Sequence, residues 1–251
     1  MLLKLTVVGF WGGYPAKNSA ASAYLLQKDD FSIMLDFGSG ALAKVQQYIH
    51  VTEIAAVILS HYHADHVSDI GVLQHALVVE NQLANTEKTL DIYGHGENEY
   101  EFSKLTHDYT RAIRYRENEV LKLGPLFVRF LRTNHTTTCF GMRITDGNST
   151  IVYTADSAYQ DEWIKFSQGA DLLVADTNFY AGQQAAAAGH MTSIDVATIA
   201  KRADVRELLL THLPHFGDHN QLVEEAREVF PRKVMLAHEG FIWQAKKSNK
   251  G

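Results

Sequence analysis

His61-Tyr62-His63-Ala64-Asp65-His66 places four metal-capable side chains in six consecutive positions, directly after the apolar run Ala55-Ala56-Val57-Ile58-Leu59-Ser60. Crowding imidazoles and a carboxylate at the end of a buried strand is costly unless something offsets it. Neutral imidazole and carboxylate are suitable donors for zinc and similar divalent ions, so a bound metal supplies the reason. In an extended segment alternate side chains share a side, so His61 and His63 project one way, while Asp65 and His66 turn back toward a second position. That spacing suits two neighbouring cations. The competing reading, a polar surface loop with chance histidines, sits poorly with so dense a cluster.

Outward from this stretch, strand-like apolar runs recur at residues 3–8, 32–35, 56–59, 126–131, 151–154, 172–175, 208–211 and 233–237,. Helical patterns lie between several of them, at 41–48, 98–109, 194–203 and 221–230, and Thr192-Ser193-Ile194-Asp195 offers an N-cap for the third,. The interleaving predicts an α/β fold. Polar groups of chemical interest follow the short apolar runs, which puts them in loops at strand ends, where α/β enzymes build their sites. Three such groups are His135, Asp156 and His212. Taken singly, each is as compatible with a structural polar role as with ligation. Their common placement after a strand favours ligation.

Nothing divides the chain. With 4 prolines among 251 residues and no Pro/Gly/Ser-rich linker, low-complexity tract or short-period repeat, the sequence reads as one domain over 1–251,. Gly12-Gly13, Gly38-Ser39-Gly40 and Gly94-His95-Gly96 look like tight turns, and none has the spacing of a dinucleotide or phosphate loop,. The only cysteine, Cys139, allows no intramolecular disulfide and no thiolate cluster, and reads as a small buried hydrophobe,. The opening segment Met1-Leu2-Leu3-Lys4-Leu5-Thr6-Val7-Val8 is too briefly apolar for a signal peptide and reads as a first strand,. No apolar run approaches the roughly 20 residues that cross a bilayer. A cytoplasmic protein without membrane partners is expected. The net charge of −6 counts against broad binding to a phosphate backbone and favours a small substrate,. Lys246, Lys247 and Lys250 read as a frayed basic end,.

The loop at 61–66, followed in order by His135, Asp156 and His212, resembles the signature of the metallo-β-lactamase superfamily. The resemblance implies a four-layer αββα sandwich with mixed sheets and outer helices. It also implies a dinuclear site for two divalent ions, zinc or manganese. His61, His63 and His135 would hold one ion, Asp65, His66 and His212 the other, and Asp156 would bridge them. The activity implied is hydrolysis by a metal-bridging hydroxide, with Asp65 orienting it or accepting its proton. Asp156 stands where two-zinc β-lactamases carry cysteine, which disfavours antibiotic hydrolysis. His63 stands where electron-transferring di-iron relatives carry glutamate, which favours hydrolysis over redox chemistry.

Gly189-His190-Met191-Thr192-Ser193 is similar to the Gly-His-Ser-Thr stretch of ribonuclease Z and its phosphodiesterase relatives, with Met191 in place of the usual serine. That resemblance makes His190 a catalytic candidate, stabilising charge or protonating the leaving oxygen; a capping or core histidine is the alternative. It extends to Leu35-Asp36-Phe37-Gly38-Ser39, Ala175-Asp176-Thr177-Asn178-Phe179 and Ala237-His238-Glu239-Gly240. Asp36 would orient a ligating histidine or cap a turn, and Asp176 would do likewise or hold its loop. His215 and His219 read as exposed or lid residues. Only Cys139 to Ala155 and a few flanking residues occupy the interval where tRNA-binding ribonuclease Z enzymes insert a protruding arm, so tRNA is not expected. The implied substrate is a small or cyclic phosphodiester. Thioester or lactone hydrolysis on the same site and a tRNA 3′-processing activity are the alternatives, and the resemblance suggests a homodimer.

Overall fold

The computed structural model describes residues 2–246, and these fall into two compact units, 2–116 with 239–244 and 117–238 with 245–246. The first unit runs β1 (Lys4–Gly9), β2 (Ala23–Lys28), β3 (Phe31–Leu35), α1 (Ala41–Val45), β4 (Ala56–Ile58), α2 (Ala64–Val67), α3 (Ile70–Ala84), β5 (Leu90–His95), α4 (Glu99–Ser103) and β6 (Thr110–Tyr115). The chain's last strand, β14 (Ile242–Gln244), completes its sheet in the order β14-β1-β2-β3-β4-β5-β6. Neighbours are antiparallel from β14 to β3 and parallel from β3 to β6. Every residue of β4 is buried, as a central parallel strand covered on both faces requires, and this is why 55–59 reads as unbroken apolar sequence,. Leu25, Met34, Val57, Leu59, Leu73 and Ile92 meet in one core cluster.

Besides strands β2, β5, β6 and β14, which the sequence reading lacks, two helices of this unit depart from it most. Helix α3 has no counterpart in it, because apolar residues occur around its whole circumference: Leu73 and Leu77 are buried while Val72 and Leu83 are exposed. One-sided periodicity, the signal that marks a surface helix, is absent. The helix expected over 98–109 stops at Ser103. Asn98 caps it through Oδ1, but His107 and Thr110 then exchange backbone hydrogen bonds in a tight turn, and Thr110 enters β6 opposite Leu90.

The second unit runs β7 (Leu121–Leu123), β8 (Leu126–Arg132), β9 (Phe140–Thr145), β10 (Thr150–Tyr153), α5 (Glu162–Phe166), β11 (Leu172–Asp176), α6 (Ser193–Arg202), β12 (Glu207–Thr211), α7 (His219–Val229) and β13 (Lys233–Leu236). Its sheet, β13-β12-β11-β10-β9-β8-β7, is parallel from β13 to β10 and antiparallel beyond. Thr192 and Asp195 close a capping box on α6, as the sequence predicts,. Trp163 of α5 is fully buried against Gly141 of β9, where a Cβ would stand 2.2 Å from the indole; only glycine fits there. Both sheets are mixed and helices accompany them, so the α/β reading holds. All eight strands read from the sequence are present. Among the described residues no helix is long and apolar enough to cross a membrane.

Candidate metal centre

In the first unit, Asp36 directly follows β3, and Ser60 and His61 follow β4. Asp36 adopts a left-handed backbone, φ 54°, with its side chain wholly buried. Its carboxylate accepts the Ser60 backbone N–H at 2.7 Å, the Ser60 hydroxyl at 2.8 Å and His66 Nδ1–H at 2.7 Å. These contacts fix two tautomers. Ser60 has spent its proton on Asp36, so its contact with His61 Nδ1 at 3.0 Å has the imidazole donating,. Both His61 and His66 therefore carry their lone pair on Nε2. His63 precedes α2 in extended conformation, and its ring stands edge-on to that of His61 at 4.7 Å between centroids, while the His61 and His66 rings are 4.2 Å apart. Asp65, in the first turn of α2, accepts the Gly13 backbone N–H at 2.7 Å and brings Oδ2 to 3.5 Å from His66 Nε2.

The second unit holds the remaining sequence-predicted residues in its own cluster. His135 follows β8, Asp156 follows β10, and His212 follows β12. His135 Nδ1–H donates to the Gly189 carbonyl at 2.9 Å, again leaving the lone pair on Nε2, which lies 3.6 Å from Asp156 Oδ2. The other carboxylate oxygen, Oδ1, is 3.3 Å from His212 Nε2. Ala155 and His212 both have positive φ, 50° and 53°. Non-glycine residues in that region are strained, and such strain gathers at functional sites. The Thr133 hydroxyl bonds the Asp156 carbonyl and Asn178 Nδ2 bonds the His212 carbonyl, which hold the two strand ends in place.

These separations test whether the donors suit a metal. Two ligands each about 2.1 Å from a tetrahedral ion stand about 3.4 Å apart. Asp65–His66, His135–Asp156 and Asp156–His212 lie at 3.5, 3.6 and 3.3 Å. In the first two pairs an imidazole lone pair faces a carboxylate oxygen. Such an arrangement is repulsive by itself and attractive around a cation. The donor chemistry fits divalent metal.

His190 lies beside this second cluster. Its Nδ1 meets Asp176 Oδ2 at 2.8 Å, and its ring stacks on His212 with centroids 5.1 Å apart. Burial pushes the His190 pKa down, but the Asp176 carboxylate outweighs it and the net shift is upward. Burial likewise raises Asp176, and the two imidazoles, His190 and His212, more than reverse it. Asp176, whose role the sequence left open, holds His190 at its Nδ1. The sequence reading missed the supporting atoms: the Ser60 hydroxyl, the Gly189 carbonyl and the Gly13 N–H. Backbone groups leave no chemical mark in a sequence, although the glycine of the Gly189-His190 pair was visible. His215 is exposed, while His219 Nε2 bonds the Pro214 carbonyl at 2.7 Å. Cys139 is buried, as expected.

Residues 33–213 match the β-lactamase superfamily domain. The chain belongs to the β-lactamase superfamily. It is 50% identical over 243 residues to "Probable metallo-hydrolase YhfI" of Bacillus subtilis, which covers 96% of this chain and all of that protein. The crystal structure of that metallo-β-lactamase fold protein superposes with a TM-score of 0.97 at 49% identity, over 98% of this chain and 100% of that one. A ribonuclease Z of Metallosphaera sedula is 24% identical over 96% of this chain and 99% of its own length. A diphosphatase from the PhnP family shares 18% identity and a TM-score of 0.77 over 97% of this chain and 98% of that one, a likeness of fold. The fold is the metallo-β-lactamase fold, and this member of the superfamily is a metallo-hydrolase with ribonuclease Z-like relatives.

Proposed function

We propose that this metallo-hydrolase is a two-metal phosphodiesterase acting on a small or cyclic phosphodiester. In this reading His61, His63 and His135 would hold one divalent ion and Asp65, His66 and His212 the other, and the Asp156 carboxylate would be shared between them. The ions are zinc or manganese. Bound there, they supply Lewis acidity toward the phosphoryl oxygens and make water acidic enough to attack at neutral pH.

The chain's own residues do the rest. Asp36, directly at His66 and by way of Ser60 at His61, and the Gly189 carbonyl at His135 hold three of the five proposed ligand imidazoles with Nδ1 capped and Nε2 as the ligating nitrogen,. Asp65, steadied by the Gly13 N–H, orients the attacking water and can take its proton. The Asp176 carboxylate favours the charged form of His190, which in this reading delivers the proton to the departing oxygen,. The Asp176–His190 pair is the observation that carries this reading, since an alkoxide leaving phosphorus needs an acid. Kinship with a protein named ribonuclease Z, which also cleaves a phosphodiester, supports it. The acidic net charge and the short interval between His135 and Asp156 support a small substrate over tRNA. A cytoplasmic homodimer completes the proposal, and sedimentation of the metal-loaded chain checks its assembly.

The decisive experiment compares initial rates on bis(p-nitrophenyl) phosphate, a thioester panel and a lactone panel, with elemental analysis of the same preparation. Two metals per chain and phosphodiester turnover that vanishes in Asp156→Ala and His63→Ala are expected. Preference for a carbonyl substrate would instead favour thioester or lactone hydrolysis.

A further inference from the structure

The second unit carries a basic hollow that takes no part in this chemistry. Arg129 of β8 and Arg143 of β9 are direct cross-strand partners. Like charges set opposite each other destabilise a sheet unless something else compensates. Together they wall a cavity of about 390 Å³, whose other lining residues are Leu131, Glu162, Lys165 and Phe166. The same two arginines also border a neighbouring hollow of about 220 Å³ that Val120 and Phe127 line. The larger volume falls in the range of small-molecule sites.

The charges there are not neutralised from within. Arg143 is half-buried and donates to the Phe166 carbonyl at 2.8 Å and the Gln168 carbonyl at 3.2 Å, so its guanidinium is fixed without a carboxylate partner. Burial and the adjacent Arg129 both lower its pKa, and Asp171 only partly opposes them. Asp171 is itself engaged by Arg206 at 3.1 Å and by the Thr150 N–H at 2.8 Å. Arg129 and Lys165 make no ion pair or hydrogen bond among the described residues, and Glu162 forms none with Lys165 one turn away on α5. Three cations against one carboxylate leave the cavity with two net positive charges, on a chain whose net charge is −6.

We propose that Arg129, Arg143 and Lys165 form a binding site for a small organic dianion, a phosphate monoester carrying a flat apolar group. The Arg129 guanidinium fork can donate in parallel to a tetrahedral oxyanion, the Arg143 guanidinium adds the N–H groups its two carbonyl partners leave over, and the Lys165 ammonium adds a point charge,. A carboxylate would fill the Arg129 fork and leave the remaining Arg143 donors and the Lys165 charge unmatched. Leu131 and Phe166 offer the apolar wall against which a ring would lie. The assignment does not depend on the metal reading, since none of these residues belongs to the proposed ligand set.

The test is isothermal titration of the metal-loaded protein with phenyl phosphate, inorganic phosphate and benzoate. Arg129 is exposed and holds no structural partner, so Arg129→Gln leaves the fold intact. The expected result is that phenyl phosphate binds more tightly than inorganic phosphate or benzoate, and that Arg129→Gln and Lys165→Gln each weaken it about tenfold or more. Phosphodiester turnover stays at the wild-type level in both. Arg129→Lys, which keeps the charge and loses the fork, should fall between. Identical isotherms for the wild type and Arg129→Gln would overturn the site, because any binding would then belong to the metal centre. Tighter binding of benzoate than of phenyl phosphate would overturn the ligand class.

Discussion

Asp36 Oδ2 and His66 Nδ1 meet at 2.7 Å with both side chains withdrawn from water, and the same oxygen also accepts the Ser60 hydroxyl. One carboxylate therefore sets the tautomer of His66 directly and that of His61 through Ser60. Asp36→Asn replaces one acceptor oxygen with a donor, so at least one of these contacts must fail. Partners of this kind are worth about 10–100-fold in metal affinity. Competition with a chelator, read as metal retained per chain, should show a loss of that size while far-ultraviolet circular dichroism stays unchanged. Unaltered retention would reduce Asp36 to a turn cap.

Glu225 ties three elements together. Its carboxylate accepts the Ala181 N–H at 2.9 Å, the Ser193 hydroxyl at the start of α6, and Gln221 Nε2 on its own helix at 2.7 Å. Burial raises its pKa, the hydrogen bonds from Ser193, Ala181 and Gln221 outweigh that, and the net value is below the ordinary 4.5. A depressed carboxylate stabilises the fold above its unfolded pKa, and that contribution disappears as pH falls through the folded value. Urea unfolding at a series of pH values should therefore show wild-type stability falling faster than that of Glu225→Gln below about pH 4.5, with the curves parallel near neutrality. Parallel curves throughout would show that this carboxylate gains nothing from its donors.

The metal loop was legible because its signal is chemical: four donors in six residues have no common structural use. The strand ends were legible because β4, β11 and β12 are buried along their length, as is β10 after Thr150, and all four write short apolar runs. Helix α3 escaped because its exposed face carries Val72, Val79 and Leu83, which erase the polar stripe. Strands β5 and β6 escaped for a related reason. Exposed arginines at 111 and 114, on opposite faces of β6, break any apolar alternation and make the run resemble a polar loop, and its pairing with β5 is a parallel contact across about 20 residues that no local pattern encodes,. Asp176 remained ambiguous since a carboxylate after a strand can cap, ligate or orient. Only the 2.8 Å contact with His190 separates these.

Gly189 occupies a position where an added Cβ would press on His135. Its φ is +77°, and a Cβ there would sit 2.7 Å from His135 Nδ1 and 3.2 Å from the His135 Cα. The left-handed backbone alone costs an L-residue roughly 1–3 kcal/mol, and the added methyl must also push on the imidazole that the Gly189 carbonyl is meant to hold. Gly189→Ala is expected to lower the thermal midpoint and to release metal more readily than wild type. Gly182, with φ +79° and nothing within 4 Å of its Cβ position, makes the control. Gly182→Ala should show the backbone cost without the metal loss. Equal metal retention in the two variants would mean that the His135 contact is incidental.

The two roles open to His190, proton donor or charge stabiliser, predict different responses to the leaving group. A p-nitrophenolate departs without a proton, whereas a simple alkoxide does not. If His190 supplies the proton, His190→Ala should cost about 10²–10⁴-fold in kcat on an alkyl phosphodiester and far less on bis(p-nitrophenyl) phosphate. Metal content should be unchanged, since His190 is outside the proposed ligand set. Asp176→Asn removes the carboxylate that favours the charged imidazole and should reproduce the same selectivity in weaker form. A uniform loss across both substrates would assign His190 to charge stabilisation, because the phosphoryl oxygens develop similar charge whichever group departs. Loss of metal in His190→Ala would place the imidazole among the ligands instead, beside Asp156 and His212, whose donor atoms lie within 4.8 Å of it.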